Sequence, residues 1–323
     1  QGYLMSYPDA FRPMGDKISS DDFAAYKTAA VSYEDELYGV PFDSGVAALF
    51  YRTDYLSEIG YTEEDMQDLT WEEYLSLGEQ LKTKGHMLQT YNPNDIAEFQ
   101  IMLQSAGKWF TNEKGEADFI DNAALEECYS IFKQLNEADY TKVVSDWTEF
   151  AGAINSGEVA CVLRGCWMTS TLMAEESQSG KWALAPIPKM NAEGATHYSN
   201  QGGSSWFVLN DSPNSEIAAD FLAKTFGSST ELYNTLLKEK SIIGTFLPAT
   251  DVEAYEETSE FFSNQQVNKL LGDWMTKIPA VDTGAFSAEA QNSLVSVTPA
   301  ILEGGDLAEN LATAEEQFKQ SIQ

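Results

Sequence analysis

Tyr38-Gly39-Val40-Pro41-Phe42-Asp43-Ser44-Gly45-Val46-Ala47-Ala48-Leu49-Phe50-Tyr51-Arg52 is the stretch from which the fold is read. A turn glycine leads into an apolar, β-rich run that Asp43-Ser44-Gly45 interrupts. The run then resumes as a strand and ends in a polar turn ahead of the next helix. An aspartate inside such a run is costly to bury unless something pairs with it. Asp43 therefore marks either a hydrogen-bonded hinge or a ligand contact.

Downstream, residues 54–60 read as a helical turn closed by Gly60. Thr70-Trp71-Glu72-Glu73 forms a capping box that opens an amphipathic helix to about Lys84, with Trp71, Tyr74, Leu75 and Leu81 on its buried stripe. A helical hairpin follows, near 95–106 and 121–137, with a loop through Gly107-Lys108-Trp109-Phe110 and Asn112-Glu113-Lys114-Gly115. Residues 147–154 read as a short helix, and Asn155-Ser156-Gly157-Glu158 turns into a strand over 159–163. Further strands are expected at 182–185 and 204–209, then helices at about 213–226 and 229–238. Upstream, residues 1–37 carry no opening strand. Ser20-Asp21-Asp22 is placed to cap a short helix over Phe23 to Ala30, and Glu34-Asp35-Glu36 to turn into the strand at 37–42. Strands alternating with helices indicate an α/β chain with mixed sheets.

The chain has 323 residues, which points to roughly two domains, and 43% of them are hydrophobic. Nineteen basic against 51 acidic residues leave a formal charge of −32. Such a balance excludes nucleic acid, whose binding rests on neutralising phosphates, and adhesion to anionic lipid. It reads as the solubilising surface of a secreted protein, with cation binding as the alternative. Cys128, Cys161 and Cys166 show no paired spacing, and His86 and His197 are the only histidines, so no zinc or redox motif is present. Cys161 and Cys166 read as small buried hydrophobes. No run approaches the length of a membrane span, and no basic-then-apolar leader is visible at Gln1.

Eight phrases, in order, resemble those of bacterial extracellular solute-binding proteins that serve carbohydrate ABC transporters, the maltose-binding-protein-like family. They begin with Tyr38 to Tyr51 and Thr70-Trp71-Glu72-Glu73-Tyr74. Ser105-Ala106-Gly107 followed by Trp109-Phe110 comes next, then Phe150 to Cys161 with Gly165-Cys166-Trp167. Lys181-Trp182 to Pro188 and Gly202-Gly203-Ser204-Ser205-Trp206-Phe207-Val208 continue the series. Gly244 to Ala249 and Ile278-Pro279 to Phe286 close it. The last phrase departs from the family pattern in carrying one aromatic ring.

The resemblance implies a periplasmic-binding-protein-like, two-lobed α/β fold, each lobe a mixed sheet flanked by helices. It assigns 1–45 and 207–262 to a partial N-terminal lobe with the hinge strands, and 46–206 and 263–323 to the C-terminal lobe. Family members carry a further strand–helix–strand–helix–strand unit ahead of the position of Gln1. The expectation is therefore a fragment whose N-terminal lobe is incomplete and under-packed. Implied ligand contacts are Asp43 and Ser44 on the first crossing, Trp167 as a stacking platform, and Gly203 with Ser204 on the second. Phe99 and Phe286 are expected to wall the cleft. Arg164 requires a carboxylate or ligand partner. Asp43, Arg164 and Trp167 also read as ordinary structural residues.

The implied function is capture of a sugar or oligosaccharide and its delivery to the membrane permease subunits of an ABC transporter. The protein would act as a monomer, without a cofactor or metal, outside the cell on a lipid anchor or in the periplasm. Alternatives are a polyamine, a peptide, an iron complex or another small solute on the same fold, or a glycoside-acting enzyme. No two carboxylates are marked as a catalytic pair.

Overall fold

A computed structural model describes residues 1–112 and 114–323; Glu113, in the expected loop 112–115, lies outside the described residues. The strands are β1 (Ser32–Tyr33), β2 (Glu36–Leu37), β3 (Gly39–Pro41), β4 (Ala47–Arg52), β5 (Gln89–Tyr91), β6 (Thr141–Val143), β7 (Cys161–Gly165), β8 (Trp182–Ala185) and β9 (Ser205–Phe207). They form separate small sheets, none of them mixed as expected, because each ladder runs in one sense: β7-β4-β8 is antiparallel, β3 pairs antiparallel with β9, and β5 runs parallel to β6.

β4 is buried along its whole length, and its alternating side chains feed two cores. Ala47, Leu49 and Tyr51 join one that includes Trp71, Tyr74, Phe99 and Phe132. Ala48 and Phe50 join another that includes Tyr26, Trp182, Phe262 and Trp274. A third cluster, around Phe23, Val40, Val208 and Phe246, packs against β3. Arg52 ends β4 in a two-pronged bond to Asp54, at 2.8 and 2.6 Å.

The Thr70 capping box is present and opens the Trp71–Thr83 helix, with Leu77 rather than Leu75 on the fully buried stripe. The helices Ala97–Ser105 and Ala123–Glu137 follow as expected. The strand expected over 159–163 lies two residues later. β4 sets that register by pairing Tyr51 with Cys161 and Ala47 with Gly165, while the Val159 segment bridges to Met87. The strand expected over 204–209 shortens to Ser205–Phe207, because the Val208 carbonyl accepts from the Arg12 amide and Leu209 bridges Phe11. In the 20–30 region Ser19, not Ser20, caps a single 3-10 turn, and the α-helix is confined to Ala25–Ala30. No helix among the described residues is long and apolar enough to cross a membrane.

Candidate functional site

The β3–β9 pair brings two crossings of the chain side by side. Val40 faces Trp206, and just beyond the ladder Asp43 meets Ser204. The Asp43 carboxylate accepts from the Ser204 amide at 2.5 Å. The bond occupies Oδ1 of the carboxylate. Ser44 is buried and its hydroxyl lies 2.5 Å from that of Tyr26. Burial holds the Tyr26 phenol well above its usual range, against the opposing pull of the Ser44 bond. Tyr26 also donates to the Asn200 side-chain oxygen, which accepts from the Gly45 amide at 2.9 Å.

Against these crossings lies a cavity of about 320 Å³. Its size falls within the lower part of the range for small-molecule sites. Tyr26, Lys27, Ala30 and Val31 line one side, with Ser205 and Phe207 of β9. Gln100, Gln104 and Trp109 line the other, with Val281 and Thr283. The floor is the backbone-rich run Asn200-Gln201-Gly202-Gly203. Both glycines have positive φ, +93° and +82°, so their peptide groups stay open to the cavity where a side chain would be strained. Gln1 completes the rim and bonds to Thr283.

The polar lining is held in place. The Gln100 amide donates to Gln291 at 2.6 Å, and the Trp109 indole N–H donates to the Ser287 hydroxyl at 2.8 Å. Lys27 donates to the Ser204 carbonyl at 3.0 Å. Burial draws its pKa down to about 8, against the opposing field of Asp43. Amides, hydroxyls and aromatic rings around the Lys27 ammonium suit a polyhydroxylated solute: its oxygens exchange hydrogen bonds and its C–H faces pack on the rings.

Lys27 also yields a pH prediction. Its folded pKa of about 8 lies below the ordinary 10.5, so between those values the unfolded chain holds the proton more often than the folded one. Stability contributed at this site therefore rises as pH climbs through that window, and the penalty is full below it. Lys27→Met is expected to melt at or above wild type at pH 7, with the difference shifting in favour of wild type by pH 10. Thermal melts across that range check it.

The residues expected from sequence separate here. Gly203 lines the cavity, and Ser204 follows it, its amide bonded to Asp43 and its carbonyl to Lys27. Trp167 stands beside the floor, 40% exposed, with its indole N–H on the Gln201 carbonyl at 3.1 Å. Trp147, 52% exposed, lies 5.9 Å from it, making a two-ring platform next to the cavity. Phe99 does not wall the cleft: it is 2% exposed and packs edge-on against Tyr129 and Phe132. Arg164 is likewise turned into the protein, 2.5 Å from Glu98, itself buried, and 3.6 Å from Asp95. Phe286 is half-buried against the larger core, at the start of the Ser287–Leu302 helix, and does not line the cavity. Lys27, Gln100, Gln104, Trp109 and Asn200 line the cavity without having been named from the sequence. The signal available was polarity out of place, since Gln104 sits on a helix buried on nearly every face.

A family profile described as "Bacterial extracellular solute-binding protein" matches residues 2–267. The lactose-binding protein of Rhizobium radiobacter is 40% identical over the whole of this chain, which spans 77% of that protein. The arabinooligosaccharide-binding protein of Halalkalibacterium halodurans is 24% identical over 90% of this chain, which spans 66% of that relative. Among solved structures, an extracellular solute-binding protein of family 1 superposes over all of this chain and 83% of its own, with a TM-score of 0.84 at 17% identity.

Proposed function

Since this chain belongs to the family of bacterial extracellular solute-binding proteins, we propose that it captures a sugar or short oligosaccharide for import by an ABC transporter. The cavity between Lys27, Gln104, Trp109 and the 200–203 floor is the binding site. The observation that carries this reading is the lining itself, amides and hydroxyls with a ring face, at the place where the crossings meet. The names of two relatives, one lactose-binding and one arabinooligosaccharide-binding, support the same solute class.

In this reading residues 1–45 with 207–262 form one lobe and 46–206 with 263–323 the other. The ligand bridges Lys27 and Tyr26 on the first to Gln100, Gln104 and Trp109 on the second. Contacts to both sides exist only when the lobes approach. Binding therefore shifts the population toward the closed form, which a membrane permease recognises. Asp43, Ser44, Gly203 and Ser204 act as the hinge, and Trp167 with Trp147 extends the stacking surface for a longer chain. The protein works as a monomer on the outer face of the membrane, held there by a lipid anchor, or in the periplasm, and performs no chemistry on its ligand. A polyamine is disfavoured, because the charged group on the wall is an ammonium.

Thermal-shift titration of the intact protein against mono-, di- and oligosaccharides, with polyamines and peptides as controls, tests the proposal. A saturable rise confined to one saccharide class is expected. A rise with amines or peptides alone, or a flat response to every saccharide, overturns it.

A further inference from the structure

Among the described residues three cationic side chains are buried: Lys27, Arg52 and Arg164. Arg52 is paired with Asp54, and Arg164 with Glu98. Lys27, 6% exposed, has no carboxylate within ion-pair distance among the described residues, although the chain carries 51 acidic residues. The acid whose field reaches it, Asp43, makes no ion pair with it and bonds the Ser204 amide through one oxygen. The ammonium itself has one protein acceptor, the Ser204 carbonyl at 3.0 Å, which leaves two of its three protons uncommitted.

Lys27 lines the cavity, and none of the other lining residues is an aspartate or glutamate. The backbone packs closely beside it: a Cβ on Gly203 would lie 3.2 Å from the ammonium and 2.6 Å from the Asp43 carbonyl, so only glycine fits there. A buried ammonium without a counter-ion is costly, and a negatively charged group brought in by a ligand removes that cost.

We propose that Lys27 is a specificity-determining contact that gives this cleft a preference for saccharides bearing a carboxylate, that is, a uronic acid residue, over their neutral counterparts. The inference rests on the cleft being the saccharide site. A single ammonium with two free protons matches one carboxylate. A phosphate ester carries more charge, and a sulfate ester more acceptor oxygens, than one ammonium with two free protons serves. The Ser204 carbonyl also accepts from the Phe42 amide at 3.2 Å, so losing Lys27 does not orphan it. The role of the lysine is therefore separable from the hinge.

The test is calorimetric titration at pH 7 with matched pairs, galactobiose against digalacturonate and lactose against its uronic acid counterpart. Wild type is expected to bind at least one acidic member about tenfold or more tighter than its neutral partner. Lys27→Met and Lys27→Gln are expected to bind both members of that pair with equal, reduced affinity, and Lys27→Arg to retain part of the preference. Equal or better binding of the neutral members by wild type overturns the inference and leaves the saccharide cleft standing. Persistence of the acidic preference in Lys27→Gln overturns it as well. Absence of binding by every member, neutral and acidic, in a folded protein takes down both this inference and the cleft assignment beneath it.

Discussion

Arg164→Met, with Glu98 left in place, is expected to lower the unfolding free energy by about 3–5 kcal/mol, the scale for stranding one charge of a buried pair. Arg164 projects from β7, its guanidinium 2.5 Å from the Glu98 carboxylate and 5.0 Å from the centre of the Phe150 ring. Glu98 lies on the Ala97–Ser105 helix and is itself buried. Burial pushes its carboxyl up, and Arg164 is the strongest opposing influence. Removing the arginine therefore leaves an acid that must take up a proton or drag water into the core. Replacing both residues by Met is expected to recover most of the loss, since a well-packed apolar pair substitutes for a buried ion pair at little cost. Urea unfolding of wild type, both single variants and the double variant closes the cycle. A single-variant cost below about 1 kcal/mol would mean that the pair is solvated, as surface pairs are.

Gly45→Ala is expected to force apart the backbone at Gly45 and Gln201. A Cβ there would lie 2.0 Å from the Gln201 carbonyl oxygen and 2.6 Å from its carbon. Those atoms are backbone and cannot swing aside. The same two residues also bond to each other, the Gln201 amide donating to the Gly45 carbonyl at 2.7 Å. The crossing must separate from the cavity floor to admit the methyl, at a cost of about 3 kcal/mol, the upper part of the overpacking range. Ligand affinity should fall with it. Gly152 is the control: it sits inside the Trp147–Asn155 helix, and a Cβ there meets nothing within 4 Å. Gly152→Ala is expected to stabilise by about 0.5–1 kcal/mol through helix propensity. Melting both variants side by side separates the loss of a glycine from the loss of this one.

The parts of the fold that were legible in the sequence are those where local chemistry and tertiary packing agree. The Thr70 capping box sits on an exposed helix start, and β4 is an unbroken buried run, so neither depends on what lies across from it. The β7 boundary was misplaced because Val159 and Ala160 have the same apolar character as Cys161 and Val162. Only the ladder with β4 decides which of them pair. Phe99 was misassigned for a related reason. Its helix is buried on almost every face, and sequence does not say which face borders a cavity and which borders Tyr129. Asp43 stood out as a polar residue needing a partner, and the partner found is the Ser204 amide, 161 residues away in sequence. Lys27 was invisible. A lysine on a six-residue helix reads as solvated, and its burial arises from a hinge crossing that passes over it far along the chain.

The central claim is that the cavity between the crossings binds a saccharide. Trp109 is the most direct handle on it, because its indole lines the cavity while its N–H is tied to Ser287. The decisive measurement is calorimetric titration of the saccharide found by thermal shift into wild type and Trp109→Ala, with circular dichroism confirming that both are folded. The account predicts one saturable site in wild type and a loss of about ten- to a hundredfold in affinity in the variant, the scale for removing an aromatic contact at the centre of a binding site. Undiminished binding by a folded Trp109→Ala protein would contradict it.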